Sequence, residues 1–200
     1  MKDYLAVSRR VAAVAGHTGE EATARKALHE EAPATRAAAL GALARMGALT
    51  ADDLGLGLTD AAFDVRRRAC DLAGRHGFSQ LCGALITALD DVDNSVVEAA
   101  CYALGELGEP QSVRALAATA TSHQDLLCRE AAVAALGAIG HADGLPAVLS
   151  ALRDKPAIRR RAVVALAAFD GPRVDDALAA AAQDRDWQVR QVAEDLLGLR

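Results

Sequence analysis

The 200-residue sequence predicts an all-α fold, an α-solenoid of about six to seven stacked two-helix repeats. Three features point to it. Apolar residues make up 52 % of the chain but aromatics only 3 %, and 48 residues are alanine. Alanine is the strongest helix former and is depleted in strands, which argues against a β-sandwich or barrel. A unit of about 30 residues recurs along the chain, the mark of a stacked repeat architecture. Within each unit the apolar residues follow the period of a helical face.

The repeats take their phase from Val7, Thr35, Val65, Val96, Cys128, Ile158 and Val189, at steps of 28, 30, 31, 32, 30 and 31 residues. Counting from each phase residue, positions 0, +4, +7 and +8 are apolar in nearly every copy, which predicts a first helix with one buried face. Gly16, Gly74, Gly105 and Gly137 fall at +9, near the predicted end of that helix. Gly77, Gly108 and Gly140 follow as helix stops.

A second helix is predicted a few residues later. Its buried line is Cys82, Leu85 and Leu89 in one copy, Val113, Leu116 and Ala120 in the next, then Leu145, Val148 and Leu152. A flank of small residues (Ala84 and Ala88, Ala115 and Thr119, Ala147 and Ala151) lets helices approach closely. Asp93, Asp125 and Asp186 stand three residues before a phase residue, placed to cap the next first helix. Residues 3–31 form the first pair and residues 186–198 a lone last helix. Residues 50–60 are the weak unit: Gly55, Gly57 and a Leu54-Leu56-Leu58 alternation predict a short or distorted helix. One helix pair cannot bury its apolar face alone, whereas stacked pairs can, so residues 1–200 are expected to form a single repeat domain.

The run from Asp93 to Gly108 (DNSVVEAACYALGELG), the opening Asp186-Trp187-Gln188-Val189-Arg190 and the segment Arg129 to Gly140 (REAAVAALGAIG) resemble the HEAT-like repeats first named from phycocyanobilin lyases. The resemblance covers nearly the whole chain. The family's arginine falls at Arg36, Arg66, Arg129, Arg159 and Arg190, with Val97 in its place in one copy. Asp60, Asp91 and Asp184 recur five residues before a phase residue. The expected arrangement is an Asp–Arg ladder tying repeats together.

Some HEAT-like proteins are enzymes. The resemblance implies, for deoxyhypusine hydroxylase, two irons held by repeated His-Glu pairs. Here Arg129 precedes Glu130 and Val97 precedes Glu98, and the lone His29-Glu30 is out of phase, so that chemistry is not expected. His17, His76 and His141 are expected in turns after first helices, too far apart to share an ion. Cys70, Cys101 and Cys128 replace small apolar residues and read as buried, inert thiols. No serine or cysteine nucleophile is paired with a histidine, and no glycine-rich loop has phosphate-cradling spacing. No catalytic residue, metal or cofactor is assigned.

The formal charge is −5, and neither half is basic: residues 1–100 carry 11 basic and 14 acidic groups, residues 101–200 carry 11 and 13. This balance disfavours phosphate-driven nucleic-acid binding. The two basic runs, Arg66-Arg67-Arg68 and Arg159-Arg160-Arg161, spread around their helices rather than forming a stripe, and Glu98 and Glu130 interrupt them. No apolar stretch reads as a signal peptide or a membrane span, so a reduced cytoplasmic setting is expected.

The function expected is a non-enzymatic scaffold or adaptor that holds a protein or peptide partner on the concave face lined by second helices. Its polar stripe is Gln80 and Thr87, then Gln111, Arg114 and Thr121, then Asp143, Ser150 and Arg153, then Arg173 and Asp176, with Arg114 and Arg153 as anchors. Two alternatives stay open: a bilin lyase-like or chromophore-handling enzyme, and a nucleic-acid-binding protein. Trp187 and Phe63, each two residues before a phase residue, are expected to pack in the core or a groove.

Overall fold

Alanine, leucine and valine at helical spacing form helices here, and many of these helices start where a side chain or a proline suits the open N–H groups. The structure, a computed structural model, describes residues 2–198. Outside the described residues lie residues 1, 199 and 200 and the side chains of residues 2–7, including that of the phase residue Val7. Among the described residues there are thirteen α-helices and no strands. In chain order they pair as α1 (Lys2–Thr18) with α2 (Glu21–Ala27), α3 (Pro33–Met46) with α4 (Ala51–Leu58), and α5 (Phe63–Arg75) with α6 (Cys82–Thr87). There follow α7 (Asn94–Leu107) with α8 (Val113–Ser122), α9 (Leu126–Ile139) with α10 (Leu145–Ala151), α11 (Pro156–Ala165) with α12 (Pro172–Ala181), and the unpaired α13 (Trp187–Gly198). From Thr35 onward, each phase residue is the third residue of its first helix.

The predicted first-helix face is the core. Thr35, Ala39, Ala42 and Leu43 are buried, as are Val65, Ala69, Leu72 and Ala73, and the same positions in α7, in α9 and in α11 with the turn that follows it. Asp125 caps α9 by accepting from the Leu127 and Cys128 N–H groups at 2.8 and 3.2 Å, and Asp186 does the same for Gln188 and Val189 at 3.0 and 3.2 Å. Asp93 accepts from the Ser95 N–H at 3.0 Å. Helices α3, α11 and α12 start on a proline instead, whose missing N–H costs nothing there.

The glycines at +9 have a different role from the one expected. They lie within their helices, and each faces the backbone of the following first helix. A Cβ on Gly74 would sit 2.6 Å from the Ala103 Cα, and one on Gly137 would sit 2.8 Å from the Ala165 Cα. Gly16 against Ala42 (2.8 Å) and Gly105 against Ala135 (3.0 Å) repeat the contact. In all four, position +9 of one repeat meets position +7 of the next. The helix stops are the second glycines: Gly77, Gly108 and Gly140 have φ of +71°, +68° and +64°, which other residues adopt only with strain.

Of the short or distorted helix expected over residues 50–60, α4 is short and not distorted. It is a regular eight-residue helix, comparable in length to the other second helices. Thr50 accepts from the Asp53 N–H at 3.2 Å, and Asp53 accepts from the Thr50 N–H at 3.0 Å, a reciprocal cap on the first turn. Leu54 and Leu58 are buried, and Gly57 lets Ala69 and Leu40 close over the helix. Other corrections are smaller. Ala84 is exposed and Leu152 half-buried, so the third second-helix core is Val148 with Ala147 and Ala151. Trp187 is 65 % exposed and Phe63 45 %, so neither is a core residue.

The chain divides into two compact units, Met1–Ala103 and Leu104–Arg200. In the first, α1, α3 and α5 pack side by side, with α2 and α4 against them. In the second, α9, α11 and α13 form one row and α8 and α10 another, with α12 against α13.

Candidate functional site

Arg36, Arg66, Arg129 and Arg159, each one position beyond a phase residue, point to the loop that opens the next repeat. Arg36 donates through Nε and Nη2 to the two oxygens of Asp60 at 2.7 and 2.6 Å. Arg66 grips Asp91 in the same way at 2.6 and 2.8 Å, and Arg159 grips Asp184 at 2.9 and 2.7 Å. Such two-point pairs match the planar guanidinium fork to the carboxylate. The third nitrogen closes on the loop before its own helix: Arg66 Nη1 reaches the carbonyl of Asp60 at 2.8 Å, and Arg190 Nη1 reaches that of Asp184 at 2.7 Å. Asp60, Asp91 and Asp184 each accept a backbone N–H as well, from Ala62, Asp93 and Asp186 respectively.

The expected ladder thus exists, and it holds one rung outside the regular spacing. Arg129 pairs with Asp154 at 2.8 and 3.1 Å. Asp154 lies four residues before its phase residue instead of five, because that loop is arranged differently. Where Val97 replaces arginine, His123 stands at the aspartate position. Val97 is fully buried, and His123 Nδ1 accepts the Asp125 N–H at 3.1 Å, the backbone role that aspartate plays elsewhere. A further tie joins second helices: Arg25 donates to both oxygens of Asp53 at 3.1 Å and to the Ala48 carbonyl at 2.9 Å. The guanidinium hydrogen bonds hold Asp60, Asp91, Asp154 and Asp184 below the ordinary carboxylate range, and they raise their arginine partners.

The polar stripe expected on the second helices lies apart from this ladder. All ten of its residues are exposed. Gln80 lies in the turn before α6 and Thr87 ends that helix, both in the first unit. In the second unit Gln111 precedes α8, which carries Arg114 and Thr121. Asp143 precedes α10, which carries Ser150, with Arg153 just beyond. Arg173 and Asp176 lie on α12. The Thr87 and Thr121 hydroxyls are turned back onto the Gly83 and Ala117 carbonyls at 3.2 and 2.8 Å.

Two of the ten converge. Arg153 and Arg173 line one cavity of about 420 Å³, whose walls are Leu149, Leu152, Ala177 and Ala180. Asp184 also borders it, but Arg159 already engages both of its oxygens. The cavity therefore joins two cations to an apolar floor. The sequence places both arginines on the exposed stripe, but their sharing of a cavity depends on where the fold sets the end of α10 relative to α12.

The remaining candidates are accounted for by the fold. All four cysteines are buried reduced thiols, and burial pushes the Cys70 thiol up to about 12, far from reactive thiolate. Histidines 17, 76 and 141 are exposed; His17 lies in the last turn of α1 rather than beyond it. Among the described residues no group of three or more His, Cys, Asp or Glu side chains gathers to hold a metal. Arg129, where an iron-binding histidine would be needed, is committed to Asp154. None of the described helices is long and apolar enough to cross a membrane.

The sequence pattern of the HEAT repeats matches residues 51–137 and 122–198. Among solved structures, the chain is similar to the complex of CpcE and CpcF of phycocyanin lyase from Nostoc sp. PCC7120. The identity is 23 % over 89 % of this chain and 76 % of that one, with a TM-score of 0.64. It is also similar to a designed armadillo repeat protein in complex with the peptide (KR)4, at 16 % identity over 86 % and 96 % of the two chains and a TM-score of 0.63. Human deoxyhypusine hydroxylase in complex with glycerol gives 21 % identity over 98 % and 79 %, with a TM-score of 0.52. At these identities the likeness is one of fold. No curated protein matches the chain in sequence.

Proposed function

We propose that this chain, which belongs to the HEAT-repeat family, is a non-enzymatic adaptor that holds an acidic peptide segment of a protein partner on its second-helix face. The observation that carries the reading is that Arg153 and Arg173 line one cavity with an apolar floor. Neither guanidinium has a carboxylate partner among the described residues, so both are available to a ligand. Guanidinium groups bind carboxylates in a two-point geometry, and an apolar floor beside them excludes water from the contact. A peptide that presents acidic side chains next to aliphatic ones satisfies both features. Arg114, Ser150 and Asp176 extend the polar surface along α8, α10 and α12 and would set the register of a longer segment. Buried reduced thiols suit a cytoplasmic setting.

A likeness of fold to a designed protein in complex with (KR)4 supports peptide capture as something helical repeats can do. The local charge here is of the opposite sign to what a basic peptide needs. Fluorescence anisotropy with labelled peptides tests the proposal. Peptides alternating glutamate and leucine should bind the full chain saturably, and their lysine–leucine counterparts should not. Replacing Arg153 and Arg173 together by alanine should weaken binding at least about tenfold while leaving the helical circular dichroism unchanged. Equal binding of both peptide classes would overturn the reading. So would a saturable absorbance change with a bilin in the absence of any peptide binding.

A further inference from the structure

A second cluster of arginines gathers in the first unit, on the first helices instead of the second. Arg9 of α1, Arg45 of α3, and Arg67 and Arg68 of α5 line a cavity of about 370 Å³ floored by alanines of α1 and α3. Asp64 is the one acidic residue on its lining. It lies 3.8 Å from Arg67, with both side chains about half exposed, so it neutralises little. Four cations against one anion leave the site with an excess of positive charge.

The centre of this site is Gly41. A Cβ there would sit 2.8 Å from Arg68 Nη2 and 3.5 Å from Arg45 Nη1, so two guanidinium groups come over the same bare patch of backbone. This is the step in the first unit where the regular contact changes. Ala44 occupies the +9 position that is glycine in five other copies, and the glycine lies three residues earlier, where it admits arginine instead of a neighbouring helix. Arg45 is anchored by donating to the Ala13 carbonyl at 3.1 Å. Arg68 is half-buried and has no hydrogen-bonding or ion-pairing partner among the described residues.

Arg68 also differs from the ladder arginines in its electrostatics. Burial pulls its guanidinium below the ordinary arginine range, and Arg75, Arg45 and Arg67 add repulsion against the lone help of Asp71. It stays charged at neutral pH, so the fold holds a cation without an ion-pair partner in a concave place. Two like charges converging without a carboxylate between them disfavour the empty site and favour an anion that can accept from both.

The geometry points to an anion site for a phosphate monoester, held between Arg45 and Arg68 over Gly41 with Arg9 and Arg67 at the rim. A dianion offsets the excess charge better than a single carboxylate does, and its three oxygens can accept from several guanidinium groups at once. The site lies on different helices from the Arg153–Arg173 cavity and does not depend on it.

Nuclear magnetic resonance of the arginine Nε–H groups in the full chain tests the site. The probes are inorganic phosphate, a phosphoserine peptide and the same peptide unphosphorylated, at about 0.15 M salt, where charges more than about 8 Å apart are largely screened. Saturable shifts of Arg45 and Arg68 with either phosphorylated probe are expected, and none with the unphosphorylated peptide. Response to both probes identifies the phosphoryl group alone as the ligand; response to the peptide only identifies a phosphorylated protein segment. Arg68→Gln should weaken binding at least about tenfold without lowering the melting temperature, since that guanidinium has no partner to lose. Arg45→Gln, at an exposed position, should give the same loss and keeps the test standing if Arg68→Gln fails to fold. Arg160→Gln should change nothing. No saturable shift with any probe, or full binding by both arginine variants, would overturn the proposal.

Discussion

Arg159 holds both carboxylate oxygens of Asp184, at 2.9 and 2.7 Å, and at the same time donates to the Asp154 carbonyl at 3.0 Å. The pair is closed off from solvent, with side chains 6 % and 16 % exposed. Removing the arginine leaves the Asp154 carbonyl without that donor and a mostly buried carboxylate with only the Asp186 N–H to compensate it. Arg159→Ala should therefore cost about 3 kcal/mol in urea denaturation. Arg67→Ala, which breaks the exposed contact with Asp64, should change stability by less than about 0.5 kcal/mol. Equal losses would mean that the ladder contributes no more than a surface pair.

The ladder also makes stability depend on pH. Asp60, Asp91, Asp154 and Asp184 titrate below the usual range when folded, chiefly because of their guanidinium hydrogen bonds. In the unfolded chain they titrate near about 3.9. Between those values the unfolded chain binds more protons, so stability falls as pH falls. The urea midpoint should be flat from about pH 7 to 5 and drop below about pH 4. Asp184→Asn should lower the midpoint at neutral pH and make the acid drop shallower.

Two glycines in one helix should respond oppositely. A Cβ added at Gly55 would meet nothing within 4 Å, while one on Gly57 would meet the Ala69 Cβ at 2.9 Å and Leu40 Cδ1 at 3.0 Å. Gly55→Ala should stabilise by about 0.5–1 kcal/mol through helix propensity. Gly57→Ala should destabilise by about 1–3 kcal/mol through overpacking. Thermal unfolding of the two variants checks both signs.

Thr35 occupies a phase position that is Val65, Val96, Ile158 or Val189 elsewhere. It is buried, and its hydroxyl lacks a hydrogen-bond partner among the described residues. Thr35→Val removes an unsatisfied polar group without changing shape, which should stabilise by roughly 1 kcal/mol. The melting temperature should rise by about 2–4 °C. A fall would show that the hydroxyl has a role in the folded state.

The repeat phase is legible in the sequence because burial acts on a fixed helical period, so Val65, Ala69, Leu72 and Ala73 follow from spacing alone. Capping by Asp125 and Asp186 is legible for the same reason: it is local. Helix α4 reads as short or distorted because its glycines look like breakers in isolation, and only the closeness of Ala69 and Leu40 explains Gly57. The reciprocal Thr50–Asp53 cap is the local signal that marks the start of that helix. Asp154 escapes the spacing because a one-residue shift in its loop moves the carboxylate out of phase. The sharing of one cavity by Arg153 and Arg173, and the approach of Arg45 and Arg68 over Gly41, depend on how separate segments are set in the fold, which no linear spacing encodes.

Selection of an acidic peptide by the charge of the Arg153–Arg173 cavity is open to a reversal experiment. Arg153→Glu and Arg173→Glu are combined in one variant, and anisotropy is measured with the glutamate–leucine and lysine–leucine peptides at matched salt. Binding of the acidic peptide should be lost and binding of the basic one gained, with the helical spectrum unchanged. A folded double variant that keeps the wild-type preference would contradict charge selection at this cavity.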